Sequence, residues 1–118
     1  MLKKIIFIIC ILICTSMNYA SNLNHNDKIT VLAGNNVGDD KSSSISASID
    51  GHNLTIIFLA NLGQVTIKVL DAYDVEIELM STPTPTGQII YIPLAGRYTV
   101  LFTLSDGDVY YGEFEVTD

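Results

Sequence analysis

The amino-acid sequence predicts an all-β domain in which two antiparallel sheets pack face to face. From Ile45 onward, apolar and polar residues alternate with a period of two in most of the apolar segments, a pattern typical of strands with one buried face. Turn-forming residues separate these segments at intervals of roughly 8–12 residues, for example Asp50-Gly51 and Ser105-Asp106-Gly107. Such spacing is typical of a sandwich or a barrel, and we expect the sandwich.

The chain begins with the pattern of a secretory signal peptide. Lys3-Lys4 precedes an unbroken apolar run from Ile5 to Cys14, and small and polar residues then lead to Ala20. The run is shorter than the ~20 apolar residues that a membrane-spanning helix needs. We therefore expect residues 1–20 to be a signal peptide, with export to the periplasm, the cell surface or the medium and no membrane insertion after cleavage. Cleavage after Ser16 and acylation of Cys14 are the alternatives.

The composition of the mature chain excludes several classes of function. Cys10 and Cys14 are the only cysteines and lie in the leader, so the mature chain has no disulfide, thiolate metal site or cysteine nucleophile. Loss of the two leader lysines leaves four basic against thirteen acidic residues and changes the formal charge from −7 to −9. A nucleic-acid partner, which requires a basic footprint, is therefore not expected.

Residues 21–43 are expected to form a flexible N-terminal segment with one short strand. The apolar run lies at Lys28–Ala33 (KITVLA). Turn formers dominate the following stretch, Gly34–Ser44 (GNNVGDDKSSS), which predicts a loop. The sandwich domain is accordingly expected at 44–118.

About seven strands are expected in this domain. Segment 54–60 (LTIIFLA) is nearly all apolar, which predicts a central strand buried on both faces. In segment 75–80, Val75, Ile77 and Leu79 alternate with glutamates and are expected to face the core. The predicted strands are 44–49, 54–60, 65–71, 75–80, 88–92, 97–104 and 108–116.

The connections between these strands predict their arrangement. Tight turns join three pairs as hairpins, whereas the arch Asn61–Gly63 and the connector Thr82–Gly87 are expected to cross between the sheets. Pro83 and Pro85 exclude the connector from a central strand because proline lacks a backbone donor. One sheet should then contain 44–49, 54–60 and 88–92, packed on a second with the order 108–116, 97–104, 65–71 and 75–80.

A tyrosine near the start of one strand favours the immunoglobulin-like variant of the sandwich. Immunoglobulin-like domains place a tyrosine there whose hydroxyl bonds to backbone a few residues upstream. Tyr98 is the candidate, and its expected partner lies near Leu94. Val100 stands where antibody domains carry a cysteine, and the chain has no tryptophan. We therefore expect a fold like that of fibronectin type III or bacterial immunoglobulin-like domains, and not that of antibody domains.

Two stretches carry a resemblance to a known family. They are VTIKVLDAYDVEIEL and the tail from Leu94 to Val116, with its segments GRYTV and YYGEF. With the lysine-led leader, they make the chain similar to a family of small secreted proteins of unknown function from Bacteroides-type bacteria. The resemblance implies one immunoglobulin-like sandwich after a signal peptide, and it brings no catalytic residues.

The sequence offers no set of residues typical of catalysis or metal binding. The mature histidines are His25 and His52, and neither lies in a pattern that brings together a nucleophile, a base and an orienting acid. Acidic pairs at 39–40, 71/74 and 106/108 could bind calcium, but they lack the spacing of a calcium loop, and aspartate is also a common turn residue. We expect no enzyme, no cofactor and no metal site.

Two functions remain as hypotheses. The first is a monomeric module that binds a protein or glycan at the cell envelope through its loops. Its candidate surface combines Tyr73 with the connector residues Thr82, Pro83, Thr84, Pro85 and Thr86, although the connector could simply bridge the two sheets. The second is a structural subunit that assembles by strand exchange through the Lys28–Ala33 segment.

Overall fold

The computed structural model describes residues 26–34 and 37–118, in which nine strands and a short 3₁₀ turn at Ser42–Ser44 occur. No helix of this part is long and apolar enough to cross a membrane. The strands are β1 Asn26–Ile29, β2 Leu32–Ala33, β3 Ile45–Asp50, β4 Asn53–Phe58, β5 Gln64–Leu70, β6 Glu76–Pro83, β7 Gly87–Tyr91, β8 Gly96–Leu104 and β9 Val109–Val116.

The strands form two antiparallel sheets, as the sequence predicted. The four-stranded sheet has the order β1-β3-β4-β7 and the five-stranded sheet the order β2-β9-β8-β5-β6. The strand order predicted from the hairpins and the two crossings is confirmed. The predicted number of about seven strands was too low, because the N-terminal segment adds one strand to each sheet.

The core is the layer of apolar side chains between the sheets. Alternate residues of each strand point inward, so the buried set follows the two-residue period of the sequence. Its completely buried members include Leu54, Ile56, Val65, Ile67, Val100, Phe102 and Tyr110. At ~25 cal/mol per Å² of apolar surface, this burial is the main contribution that holds the sheets together.

The predicted orientation of the fourth sandwich strand is wrong. Val75, Ile77 and Leu79 are 55%, 40% and 54% exposed, whereas Met80 and Thr82 pair with the buried Ile67 and Val65. A β-bulge opposite Val69 and Leu70 adds one residue to β6, and a shift of one residue exchanges the two faces of a strand. Because β6 lies at the sheet edge, its inward face needs less apolar area than that of a central strand.

The expectation that segment 54–60 is buried on both faces is also wrong. Strand β4 ends at Phe58, and Ile57 and Leu59 are 44% and 64% exposed. The outer face of an antiparallel sandwich sheet contacts solvent, so only alternate residues of a central strand are buried. Ile57 on the outer face of β4 and Leu59 just beyond the strand therefore form exposed surface.

The N-terminal segment forms two strands where one was expected. β1 pairs with β3, and β2 pairs with β9 of the other sheet, so the chain crosses from sheet to sheet at Thr30-Val31. Ile29 is buried in the core at 4% exposure. The crossing passes close to Gly112, where a Cβ atom would lie 2.7 Å from Ile29 Cγ2 and 3.0 Å from the Thr30 carbonyl oxygen.

Tyr98 lies at the start of β8 and is only 7% exposed. Its hydroxyl donates a hydrogen bond of 2.6 Å to the Leu94 carbonyl, and its ring stacks on Phe114 with the centroids 5.6 Å apart. The bond fixes the path of the chain from β7 into β8. It occupies the place of the tyrosine corner of immunoglobulin-like domains.

The close approach at Gly112 predicts a destabilising substitution. Gly112→Ala should lower the free energy of unfolding by about 1–3 kcal/mol, the usual cost of overpacking, because the stiff Ile29 side chain and the Thr30 backbone must move. Urea unfolding measures this. Gly38→Ala is the matched control, since no atom lies within 4 Å of its Cβ position, and it should change the stability by less than about 1 kcal/mol. Equal stability of both variants would contradict the crossing described above.

The corner bond predicts a smaller effect. Tyr98→Phe should lower the free energy of unfolding by about 0.5–1.5 kcal/mol, the net contribution of one hydrogen bond, while the stacking on Phe114 remains. Thermal unfolding should detect it, with Tyr73→Phe as the control because that ring is 85% exposed. If Tyr98→Phe unfolds at the wild-type temperature, the bond contributes no net stability.

Candidate functional site

The structure does not bring the sequence-predicted binding residues together. Tyr73 lies in the turn before β6, whereas Thr82 and Pro83, expected in the connector, are the last two residues of that strand, and Thr84–Thr86 follow it. With a rise of ~3.3 Å per residue, β6 extends about 23 Å from Glu76 to Pro83, and Tyr73 and the connector lie at its opposite ends. Tyr73 and Thr82–Thr86 therefore do not form one continuous surface.

Hydrogen bonds hold the connector against the arch that precedes β5. The Thr84 hydroxyl donates to the Gly63 carbonyl at 2.7 Å and accepts from the Leu62 amide at 2.6 Å. Thr82 is buried, and its hydroxyl accepts from the Gln88 side chain at 2.9 Å. These bonds join the two segments that cross between the sheets. Such an arrangement is expected if the connector simply bridges the two sheets.

Tyr73 is held by its backbone alone. The Asp71 carboxylate accepts from the amides of Tyr73 and Val75 at 2.8 and 3.0 Å, the geometry by which aspartate commonly stabilises a turn. The ring itself is 85% exposed. A single exposed tyrosine on a fixed turn is a contact point but not a site.

An open sandwich has four edge strands, and here they differ in how they resist pairing with another chain. Natural edges avoid such pairing by being short, by charge, by bulges or by inward-pointing charged residues. β2 has two residues, and β1 exposes the charges of Asp27 and Lys28. β6 carries the bulge, the inward Glu78 beside Val69, and Pro83 at its end. Within the described chain β7 (GQIIY) alone has no such protection.

The backbone of β7 presents hydrogen-bonding groups along its outer edge. Phe58 N–H donates to the Thr86 carbonyl, and Ile92 N–H donates to the His52 carbonyl. Because the direction of these groups alternates along a strand, Gln88 and Ile90 bond to β4. The N–H and C=O groups of the residues between them point away from the sheet. These residues are Gly87, Ile89 and Tyr91.

Apolar side chains surround this free edge. Ile89 and Tyr91 are 68% and 64% exposed, and Ile57 of β4 continues the patch on the outer face. Between β6 and β7 lies a groove of about 180 Å³. It is lined mainly by Ile77, Glu78, Ile90, Tyr91, Pro93 and Leu94. We refer to β7 with this groove as the β7 edge.

A larger depression of about 450 Å³ lies where β8 and β9 meet the β5–β6 turn. Carboxylates of Asp71, Asp74, Glu113 and Glu115 and the Arg97 side chain line it. Among the described residues, no group of three or more His, Cys, Asp or Glu side chains could hold a metal ion. The depression is wide and polar, and its acidic residues alone do not define a ligand.

His52 holds the end of β7. Its Nδ1 lies 2.6 Å from the Ile92 carbonyl oxygen, and its Nε2 lies 2.6 Å from Oδ1 of Asp118. The ring also stacks on Tyr91 with the centroids 5.8 Å apart. The hydrogen bond to Ile92 and, next, that to Asp118 raise the pKa of His52 above its ordinary value.

Sequence reasoning did not identify the β7 edge or the role of His52. One signal was present: Ile89 to Ile92 (IIYI) is apolar on both alternating faces, although a sandwich strand has only one buried face. The contact between His52 and Asp118 joins residues 66 positions apart, and no local pattern indicates it.

Comparisons with known proteins agree with this architecture. A structure described as a DUF3244 family protein with an immunoglobulin-like β-sandwich fold, from Bacteroides vulgatus ATCC 8482, superposes with a TM-score of 0.67 at 18% identity. The match covers 78% of this chain and 99% of that one. At this identity the likeness shows the fold, and it confirms the immunoglobulin-like sandwich.

No curated protein matches the chain. The model of the family described as "Domain of unknown function (DUF3244)" matches residues 25–116. This match covers most of the sequence and includes every strand described above. The chain therefore belongs to the DUF3244 family.

Proposed function

We propose that this protein is an exported, non-catalytic module that binds an extended segment of a partner protein at the β7 edge. The observation that carries the proposal is the contrast among the four edge strands. Three are short, charged or bulged, whereas β7 is uncharged and regular and has exposed apolar residues beside it. An edge of this kind adds a further strand readily.

The mode of binding follows from the two kinds of group along the edge. The free N–H and C=O groups of Gly87, Ile89 and Tyr91 can bond to an extended backbone, which gives affinity for any chain in that conformation. The exposed side chains Ile89 and Tyr91 and the groove beneath them would select alternate apolar residues of the partner. Binding of this type needs no catalytic group or cofactor.

Charge favours a basic partner over a second copy of the chain. Two acidic residues, Glu78 and Asp71, are among those that line the groove, and the whole chain has a formal charge of −7. A segment with lysine or arginine among its apolar residues would complement these carboxylates. A second copy would bring the same negative charge, so we propose that the protein is a monomer.

The place of action is proposed from the N-terminal sequence. Lys3-Lys4 and the apolar run that follows them favour export, and the module would then meet its partner in the periplasm, at the cell surface or outside the cell. No basic cluster follows the leader, which argues against nucleic acid as the ligand.

Two other functions have less support. Strand exchange through the N-terminal segment would first have to break the pairing of β1 with β3 and of β2 with β9 within the same chain. A glycan platform would need several aromatic rings on one surface, yet Tyr110 is fully buried and the Tyr73 ring lies alone on its turn. We therefore rank both below strand addition at β7.

A lysine-containing strand peptide tests the proposal. The probe is a fluorescent nine-residue peptide in which valine alternates with lysine and threonine, and fluorescence anisotropy measures its affinity. Ile89→Pro should weaken binding by about tenfold, the equivalent of one lost hydrogen bond, because it removes an outward N–H group. It should not break the pairing with β4, because that N–H group does not point toward β4.

Ile89→Val is the matched control, since it keeps the N–H group and the branched side chain and should bind like the wild type. Circular dichroism verifies that both variants are folded. A version of the peptide with proline at alternate positions should not bind. Equal binding by Ile89→Pro and Ile89→Val, or binding of the proline peptide, would reject strand addition. Sedimentation that shows a dimer without peptide would instead identify a second copy as the occupant.

A further inference from the structure

At its end, β7 is bonded to His52 as well as paired with β4. His52, in the turn between β3 and β4, accepts a hydrogen bond from the Ile92 amide through its own carbonyl at 2.8 Å. Its side chain then bonds to the Ile92 carbonyl at 2.6 Å and to Asp118 at 2.6 Å. The turn, the end of β7 and Asp118, two residues beyond β9, therefore meet at one imidazole ring.

The chemistry of these contacts depends on the charge of the ring. Both ring nitrogens face oxygen acceptors, a carbonyl and a carboxylate. A neutral imidazole has one N–H group and can donate to only one of them, whereas an imidazolium donates to both. The observed arrangement is therefore complete only when His52 is protonated.

The ring also contacts the β7 edge directly. Tyr91 stacks on His52 with an interplanar angle of 30°. The backbone N–H and C=O groups of the same tyrosine point outward from the edge, and the residue lines the groove. A cationic ring against an aromatic face gains further attraction. The position of Tyr91 thus depends on whether His52 remains in place.

The charged and titratable groups around the ring come from three elements. Asp118 approaches from beyond β9, Tyr91 from β7, and Asp50 lies on the hairpin of His52 itself. The His52 side chain is 23% exposed, so it can exchange protons with solvent.

We propose that His52 is a pH-dependent latch of the β7 edge. While the ring is protonated, the edge is held in the conformation that binds the partner, and the edge loosens when the ring loses its proton. This assignment rests on the proposed function, because it concerns regulation of the same edge. A held strand binds more tightly than a loose one because less conformational entropy is lost on binding.

The direction of the effect follows from the sign of the pKa shift. The contacts with Ile92 and Asp118 raise the pKa of His52 above the ordinary 6.5. The stabilisation by the latch is therefore complete below pH 6.5 and is lost as the pH rises through the raised pKa. Peptide binding at the β7 edge should weaken over the same interval.

The experiment measures affinity for the valine–lysine–threonine peptide between pH 5.5 and 8.5, a range in which the lysines of the probe keep their charge. The wild type should lose affinity by about fivefold as the pH rises, at the low end of typical coupling between two sites. His52→Gln should bind with the same affinity throughout, because it has no titrating ring. Asp118→Asn should show the loss at lower pH, because the carboxylate no longer supports the proton.

The remaining outcomes distinguish a failure of the latch from a failure of the proposed function. Wild-type binding that is strong and independent of pH would overturn the latch and leave the proposed function standing. An equal loss of affinity in wild type and His52→Gln would also overturn the latch. Absence of binding at every pH would reject the proposed function, and with it this regulation. In that case, exchange of the Ile92 amide with solvent would still report whether His52 holds the strand.

Discussion

The apolar layer between the two sheets is the interaction on which the whole structure depends. The described chain contains no cysteine, so no disulfide assists the packing of one sheet on the other. Residues such as Leu54, Ile67, Val100 and Phe102 are completely buried there. Their requirement for burial fixes the register of each strand, because a slip of one residue would bring polar side chains into the layer.

An open sandwich held in this way has edge strands, and these strands differ in how they are protected against pairing with another chain. The N-terminal segment extends both sheets on one side through β1 and β2. On the opposite side lie β6, which has a bulge and an inward glutamate, and β7, which has neither. The β7 edge is thus less protected against strand addition than the other edge strands. The connector, through the hydrogen bonds of Thr84, holds this edge beside β6.

The sequence predicted the parts of the fold that depend on local pattern. In β8, the alternating residues Tyr98, Val100, Phe102 and Leu104 share one face, and all four are buried. The orientation of β6 could not be predicted, because a two-residue period does not distinguish the faces of a strand and the bulge is not marked in the sequence. The site was missed because it consists of an edge and a contact between His52 and Asp118. Both arise only when distant segments meet.

Amide hydrogen exchange along β7 tests the central claim, that this strand is a free edge, most directly. The amides of Gln88, Ile90 and Ile92 bond to β4 or His52 and should exchange slowly, while those of Gly87, Ile89 and Tyr91 should exchange rapidly. This alternation should be visible in the isolated protein at micromolar concentration. Slow exchange at all six positions would mean that the edge is already covered and would contradict the account.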